Sequence, residues 1–191
     1  VASSPVANGP VVIQNNTTIT ARNFRDGGPI GVASSRSFRK VEPLPGVTVL
    51  NPLPGIRYQQ YTGVWDSLPK FSALTPAQMG ARPTIGVVQP AVPEHYAMTF
   101  DGFLKIEHTG VYTFALSSDD GSRLSIDGRV VIDHDGLHAM SERRASIPLA
   151  AGYHKLHIEY FQGEGGDGLS VRYSRAGGDP KRIPEALLFH E

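Results

Sequence analysis

Leu124-Ser125-Ile126-Asp127-Gly128-Arg129-Val130-Val131-Ile132 is the stretch on which the fold turns. Asp-Gly between two short apolar runs is the pattern of a two-residue β-hairpin, because both turn positions need positive φ and these residues accept it. Outward from this hairpin the same period of two recurs from about Ile56 onward. In Val111 to Ser117, Tyr112, Phe114 and Leu116 face one way, while Thr113 and Ser117 face the other. Tyr153 to Phe161 places His154, Leu156, Ile158 and Tyr160 on one face, and Leu169, Val171 and Tyr173 repeat the pattern. Each run is short and bounded by glycine or aspartate. The spacing predicts an all-β chain, an antiparallel β-sandwich or barrel. Asp101-Gly102 predicts a further turn or bulge. Thr75-Pro76-Ala77-Gln78-Met79-Gly80 predicts a helical turn with an N-cap, a proline at the first position and a glycine stop. Pro184 to Phe189 predicts a short turn or a closing strand.

The bulk composition agrees. The chain has 191 residues, 40% hydrophobic and 19% charged, with 21 glycines and 15 prolines. This is a globular balance, long enough for one medium domain and an extra piece, with many turns. Eighteen basic and eighteen acidic residues give zero net charge. The cationic excess that phosphate contacts require is missing, which argues against a nucleic-acid partner. No cysteine is present, which excludes disulfides, thiolate metal sites and a cysteine nucleophile. No apolar run is long enough to span a bilayer, so membrane insertion is not expected. The chain opens at Val1 with neither methionine nor a signal-peptide pattern, as expected of a piece of a longer protein.

The first 45 residues have a different texture. Thr17 to Phe24 and Ser35 to Val41 alternate like strands around the turn-rich Asp26-Gly27-Gly28-Pro29. Glu42-Pro43-Leu44-Pro45-Gly46 reads as a stiff linker. The expected division is an N-terminal two-strand arm and linker at 1–45 and a β-sandwich at 46–191. Two strands alone cannot bury enough surface to be stable in water.

The stretch from about residue 55 to 191 resembles the PA14 family. The matching elements are Gly55 to Tyr61, then Trp65 and Leu68-Pro69, then Tyr96 to Gly102. Gly110 to Phe114 leads into Ser117-Ser118-Asp119-Asp120-Gly121-Ser122, followed by Leu124 to Gly128. Leu149 to His154 leads through Ile158 to Phe161 to Gly165, Gly166 and Leu169. The arm, Thr17 to Val41, resembles the last two strands of the small domain that often ends bacterial β-hexosaminidases and chitobiases.

The chemistry centres on Asp119-Asp120. Adjacent carboxylates repel unless water or a cation screens them, and Ca2+ suits such a site because it takes about six to eight oxygens in irregular geometry. Asp-Asp-Gly-Ser is equally a good turn sequence. In PA14 lectins of the adhesin type the corresponding pair is joined by a cis peptide and holds a Ca2+ that sugar hydroxyls also ligate, so the resemblance assigns this part to Asp119 and Asp120. The loop Gln162-Gly163-Glu164-Gly165-Gly166-Asp167-Gly168 is the expected partner, its glycines letting backbone approach an ion or a sugar. An asparagine supplies an oxygen there in those lectins; here Gln162 stands nearest, one methylene longer. The expected metal ligands are therefore Asp119, Asp120, Gln162 and Glu164. The expected glycan contacts are Asp119, Asp120, Arg123, His138, Glu164 and Asp167. His134-Asp135-Gly136-Leu137-His138, with Asp133, has no standard metal spacing and reads as a solvated loop able to shape the pocket. Trp65 and Tyr58, Tyr61, Tyr112, Phe114 and Tyr160 read as packing residues.

No nucleophile elbow, zinc-protease helix or phosphate-binding loop is present. The resemblance implies a non-catalytic carbohydrate-binding module, Ca2+-assisted, of a secreted, periplasmic or cell-surface glycoside hydrolase, with a glycan and the parent's catalytic domain as partners. A structural spacer beside a catalytic domain, or an adhesin lectin, is the alternative.

Overall fold

The computed structural model describes residue 6 and residues 8–89, 93–175 and 177–191. It separates into two compact units, residues 1–42 and 43–191. The break falls between Glu42 and Pro43, ahead of the expected boundary. Leu44, placed in the linker by sequence, and Val47, just beyond it, hydrogen-bond to Pro148, Ala150 and Tyr153 within the second unit.

The first unit is one antiparallel hairpin of β1 (Thr17–Arg25) and β2 (Gly28–Phe38). Asp26 and Gly27 form its turn with φ of 52° and 76°. Hydroxyl pairs Thr18–Ser37 and Thr20–Ser35, 2.8 and 2.7 Å apart, run along one face.

The second unit begins with β3 (Leu53–Pro54), β4 (Ile56–Thr62), β5 (Gln78–Arg82) and β6 (Tyr96–Ile106). It continues with β7 (Gly110–Asp119), β8 (Ser122–Ile126), β9 (Arg129–His134) and β10 (Ser141–Leu149). Then come β11 (Gly152–Gln162), β12 (Gly168–Arg175), β13 (Lys181–Arg182) and β14 (Leu188–His190). One sheet has the order β10-β7-β12-β13; the other runs β3-β14-β6-β11-β8-β9, with β4 on β6 and β5 on β4. All pairings between these strands are antiparallel, so the chain is an all-β sandwich. Among the described residues, helix is confined to the 3-10 turns Phe71–Ala73 and Glu185–Leu187, and no helix is long and apolar enough to cross a membrane.

The period-two residues fill the space between the sheets. Phe114 and Leu116 on β7 share one core cluster with Ile158 and Tyr160 on β11, and His154 is equally buried. Asp127 and Gly128 turn the β8–β9 hairpin with φ of 50° and 75°. Asp127 also caps the neighbouring strand, accepting the Lys155 N–H at 2.8 Å and facing His154 Nδ1 at 2.6 Å. Trp65 packs half-buried against Tyr61, Ala97 and Phe161.

Two local expectations give way to tertiary pairing. Asp101-Gly102 is no turn: β6 runs through it in unbroken register, Asp101 opposite His157 and Gly102 opposite Leu156. Gln78 to Gly80 belongs to edge strand β5, paired to Gln60, Gln59 and Tyr58, and not to a helical turn. Backbone bonds along β4 outweigh the weak local preference of one helical turn. At the C terminus the chain takes a 3-10 turn and then β14, so both forms expected there occur in succession.

Candidate functional site

Three connections that pass from one sheet to the other meet at one end of the sandwich. They are Asp120-Gly121 between β7 and β8, residues 135–140 between β9 and β10, and residues 163–167 between β11 and β12. Asp119 and Asp120 sit where they meet, joined by a cis peptide bond.

Asp120 is 5% exposed. Its Oδ1 accepts the His138 N–H at 2.9 Å, and its Oδ2 accepts the Gly163 N–H at 2.9 Å. One carboxylate thus ties two of the loops, through charge-assisted bonds stronger than neutral ones. Asp119 Oδ2 accepts the Met140 N–H at 3.1 Å. The loops close on the pair because glycines leave room. A Cβ on Gly163 would lie 3.2 Å from Asp120 Oδ2, and one on Gly166 would lie 3.3 Å from Asp119 Oδ2. A Cβ on Gly121 would overlap the Phe161 ring and lie 2.8 Å from Gly136 N.

Buried tyrosines support the pair from below. The Tyr160 hydroxyl donates to the Asp119 carbonyl at 2.6 Å, lies 3.0 Å from Gln162 Oε1, and accepts the Gly168 N–H at 3.3 Å. The Tyr96 hydroxyl donates to Asp167 Oδ2 at 2.7 Å. Burial, the larger cause, pushes both phenols well above their ordinary range, so both remain proton donors. Gln162 is fully buried and donates from Nε2 to the Gly166 carbonyl at 2.7 Å.

Asp119, Asp120, Gln162 and Asp167 therefore gather at this end, and three other expected contacts do not. Glu164 is 81% exposed at the loop tip and nears His95 Nε2 at 4.0 Å; among the described residues no three His, Cys, Asp or Glu side chains group to hold a metal. Arg123 is held by Asp133, Glu159 and Asp135, at 3.2, 3.2 and 3.8 Å. The His138 ring stacks on His134 at 3.9 Å, and its nitrogens face the Ala139 and His134 carbonyls, each at 3.1 Å. His138 serves the site through its backbone N–H. Sequence reasoning misses Met140, whose backbone N–H joins that of Gly163 in the cradle, and Tyr96 as the partner of Asp167.

For Ca2+ the donors are of the right kind: two adjacent carboxylates, an amide oxygen and the carbonyl-rich glycine loop. Asp119 Oδ1 accepts no hydrogen bond from the described residues.

The sequence profile of the PA14 domain matches residues 87–186, just over half of the chain. The chain belongs to the PA14 domain family. No curated protein matches it. Solved structures share the fold. The PA14 sugar-binding domain from an RTX adhesin is 18% identical, with 73% of this chain and 99% of that one covered and a TM-score of 0.61. The epithelial adhesin 9 A domain from Candida glabrata, in complex with Galβ1-3GlcNAc, is 11% identical, with coverage of 78% and 95% and a TM-score of 0.62. An anti-sigma factor domain-containing protein from Clostridium clariflavum is 22% identical at a TM-score of 0.61, covering 73% of this chain. The chain spans about half of that protein's length, the matched region being 48% of it.

Proposed function

We propose that residues 43–191 form a non-catalytic carbohydrate-binding module in which Asp119 and Asp120 hold a Ca2+ that also ligates sugar hydroxyls. The observation that carries this reading is the convergence of three sheet-crossing connections on the Asp119-Asp120 pair. The sugar-binding RTX adhesin domain and the glycan-bound adhesin that share the fold favour it. Gln162 is the fitting third donor. The Tyr160 hydroxyl has one proton for two acceptors, and the shorter contact, to Asp119, claims it. The Gln162 amide is then free to turn its oxygen toward an ion. Asp167, on the same loop, is the remaining glycan contact. A Ca2+-bridged sugar contact of this kind is weak per copy and serves by keeping a parent protein at its glycan. The hexosaminidase-like arm favours a glycoside hydrolase as that parent, acting in the periplasm, at the cell surface or outside the cell.

The competing reading is a spacer without a ligand. It is favoured by Glu164 turning to solvent and by the bond that holds the Gln162 Nε2 to the Gly166 carbonyl. Calcium titration by calorimetry separates the two. Binding in the micromolar to millimolar range, weakened at least tenfold in Asp119→Asn and followed by calcium-dependent glycan capture, is the expected result. Asp119→Asn is the informative variant because Asp120→Ala also removes two backbone anchors. No heat of binding in the folded wild type sinks the calcium site and leaves the spacer.

A further inference from the structure

The opposite end of the sandwich carries a second concave surface. β7 runs from Asp119 at the first end to Gly110 at the other, a length of about 30 Å at ~3.3 Å per residue. A cavity of about 680 Å3 opens there, within the range of small-ligand sites. Lys105, Arg175, Lys181 and Arg182 line it. None of the four forms an ion pair among the described residues, although Arg123, Arg144 and Arg172 all do. Glu107 and Asp179 also line the cavity, so four cations stand against two carboxylates in a chain of zero net charge.

The cavity is built rather than incidental. Arg175 Nη2 donates to the Thr109 carbonyl at 3.1 Å, which fixes the guanidinium at the rim. Gly110 makes that placement possible: a Cβ there would lie 2.9 Å from Arg175 Nε. Tyr112 and Tyr173 stack with planes 3° apart and centroids 6.1 Å apart. The Tyr112 hydroxyl is spent on the His108 carbonyl at 2.7 Å. Tyr112 is buried, and half-buried Tyr173 presents an aromatic surface beside the cations.

We propose that this cavity binds an anionic saccharide, a hexuronate unit whose carboxylate meets Arg175 and the lysines while its ring C–H face lies on Tyr173. An arginine fork and lysine point charges suit a carboxylate, and an aromatic ring suits an apolar face that carries polar edges. An acidic peptide fits less well, because the neighbouring sheet edge, β13, is only two residues long and offers almost no backbone ladder. This site is independent of the Asp119-Asp120 reading.

The test is calorimetric titration of the whole chain in EDTA with trigalacturonate, with a neutral trisaccharide of the same linkage and with a glutamate-rich peptide as comparators. Saturable binding of the uronate alone, weakening as salt rises, is expected. Arg175→Ala and Lys181→Ala each weaken it about tenfold, and Asp119→Asn leaves it unchanged. Gly110→Ala, which displaces Arg175 without removing it, weakens it in the same way in a chain whose unfolding midpoint shows it folded. Four outcomes overturn the proposal: no saturable binding, equal binding of the neutral sugar, equal binding of the peptide, or full binding by the folded cavity variants.

Discussion

His157 shows how a single side chain acquires its chemistry from its neighbours in the sheet. It faces outward on β11, with Nδ1 2.7 Å from Asp101 Oδ1 on the adjoining strand and Nε2 3.7 Å from Glu159 Oε1. The hydrogen bond to Asp101 acts first and the nearby Glu159 carboxylate second; they outweigh burial and raise the imidazole to about 9. The folded pKa lies above the unfolded one, so the stabilisation is fully present below the ordinary imidazole value near 6.5 and is lost as pH rises through about 9. An NMR titration of the ring should show a midpoint near 9, and Asp101→Asn should move it down toward the ordinary range. A midpoint between about 6 and 7 in the wild type would rule out the ion pair in solution. The Asp119-Asp120 pair is the opposite case of legibility. Its carboxylates stand out in the sequence, but what holds them, the backbone N–H groups of His138, Met140 and Gly163, carries no side-chain signature. Every residue offers the same amide, so the choice of partner is written in the path of the loops. The surroundings of Arg123 and Glu164 are illegible for the same reason: their types allow sugar contact, and only the fold directs one to three carboxylates and the other to solvent.

At the scale of the element, strands were legible where alternation met a glycine or aspartate boundary, as in β7, β8, β9 and β11. They were misread where a glycine serves a distant neighbour. Gly102 lies in mid-strand, and a Cβ there would overlap the Phe189 carbonyl of β14. Its lack of a side chain admits the C-terminal strand against β6, where Leu188 and Phe189 pair with Leu104 and Phe103. Local turn chemistry therefore suggested a break at a position whose real requirement lies 87 residues further on. β5 teaches the same lesson from the other side, since its pairing with β4 overrides a proline and a glycine that favour a turn. Gly102→Ala should force β14 away and destabilise the domain by about 1–3 kcal/mol. Urea denaturation measures the loss, and hydrogen exchange should locate it at Leu188 and Phe189. Unchanged exchange in β14 with full stability would mean that the strand adjusts around a methyl group.

For the whole molecule, the two units differ in what they can support alone. The hairpin of β1 and β2 leaves Val32 92% exposed and Phe24 and Phe38 nearly half exposed, and the described residues of the first unit offer no inner face to bury them. Such a ribbon is marginal in water by itself. Residues 43–191 are a complete sandwich. Their core runs from Ile56 on β4 through Phe100, Phe114, Leu124 and Ile158 to Leu188 on β14. The segment before β3 is sealed onto it by the Leu44 and Val47 hydrogen bonds. The two textures are legible in the sequence because the proline-rich Glu42-Pro43-Leu44-Pro45-Gly46 stands between them. The sequence could not place the break to the residue, because Leu44 joins the sandwich by backbone pairing at a site that reads as a proline linker. The consequence is a prediction about truncation. A chain of residues 43–191 should fold cooperatively, with a single urea transition and a stability of at least about 5 kcal/mol. A chain begun at Gly46 loses the Leu44 pairing to β10 and should be weaker by about 1–2 kcal/mol, the worth of two backbone hydrogen bonds with partners left exposed. Coincident fluorescence and circular dichroism transitions for the longer piece are the readout. Aggregation or a broad, probe-dependent transition would show that the sandwich needs residues 1–42 to fold.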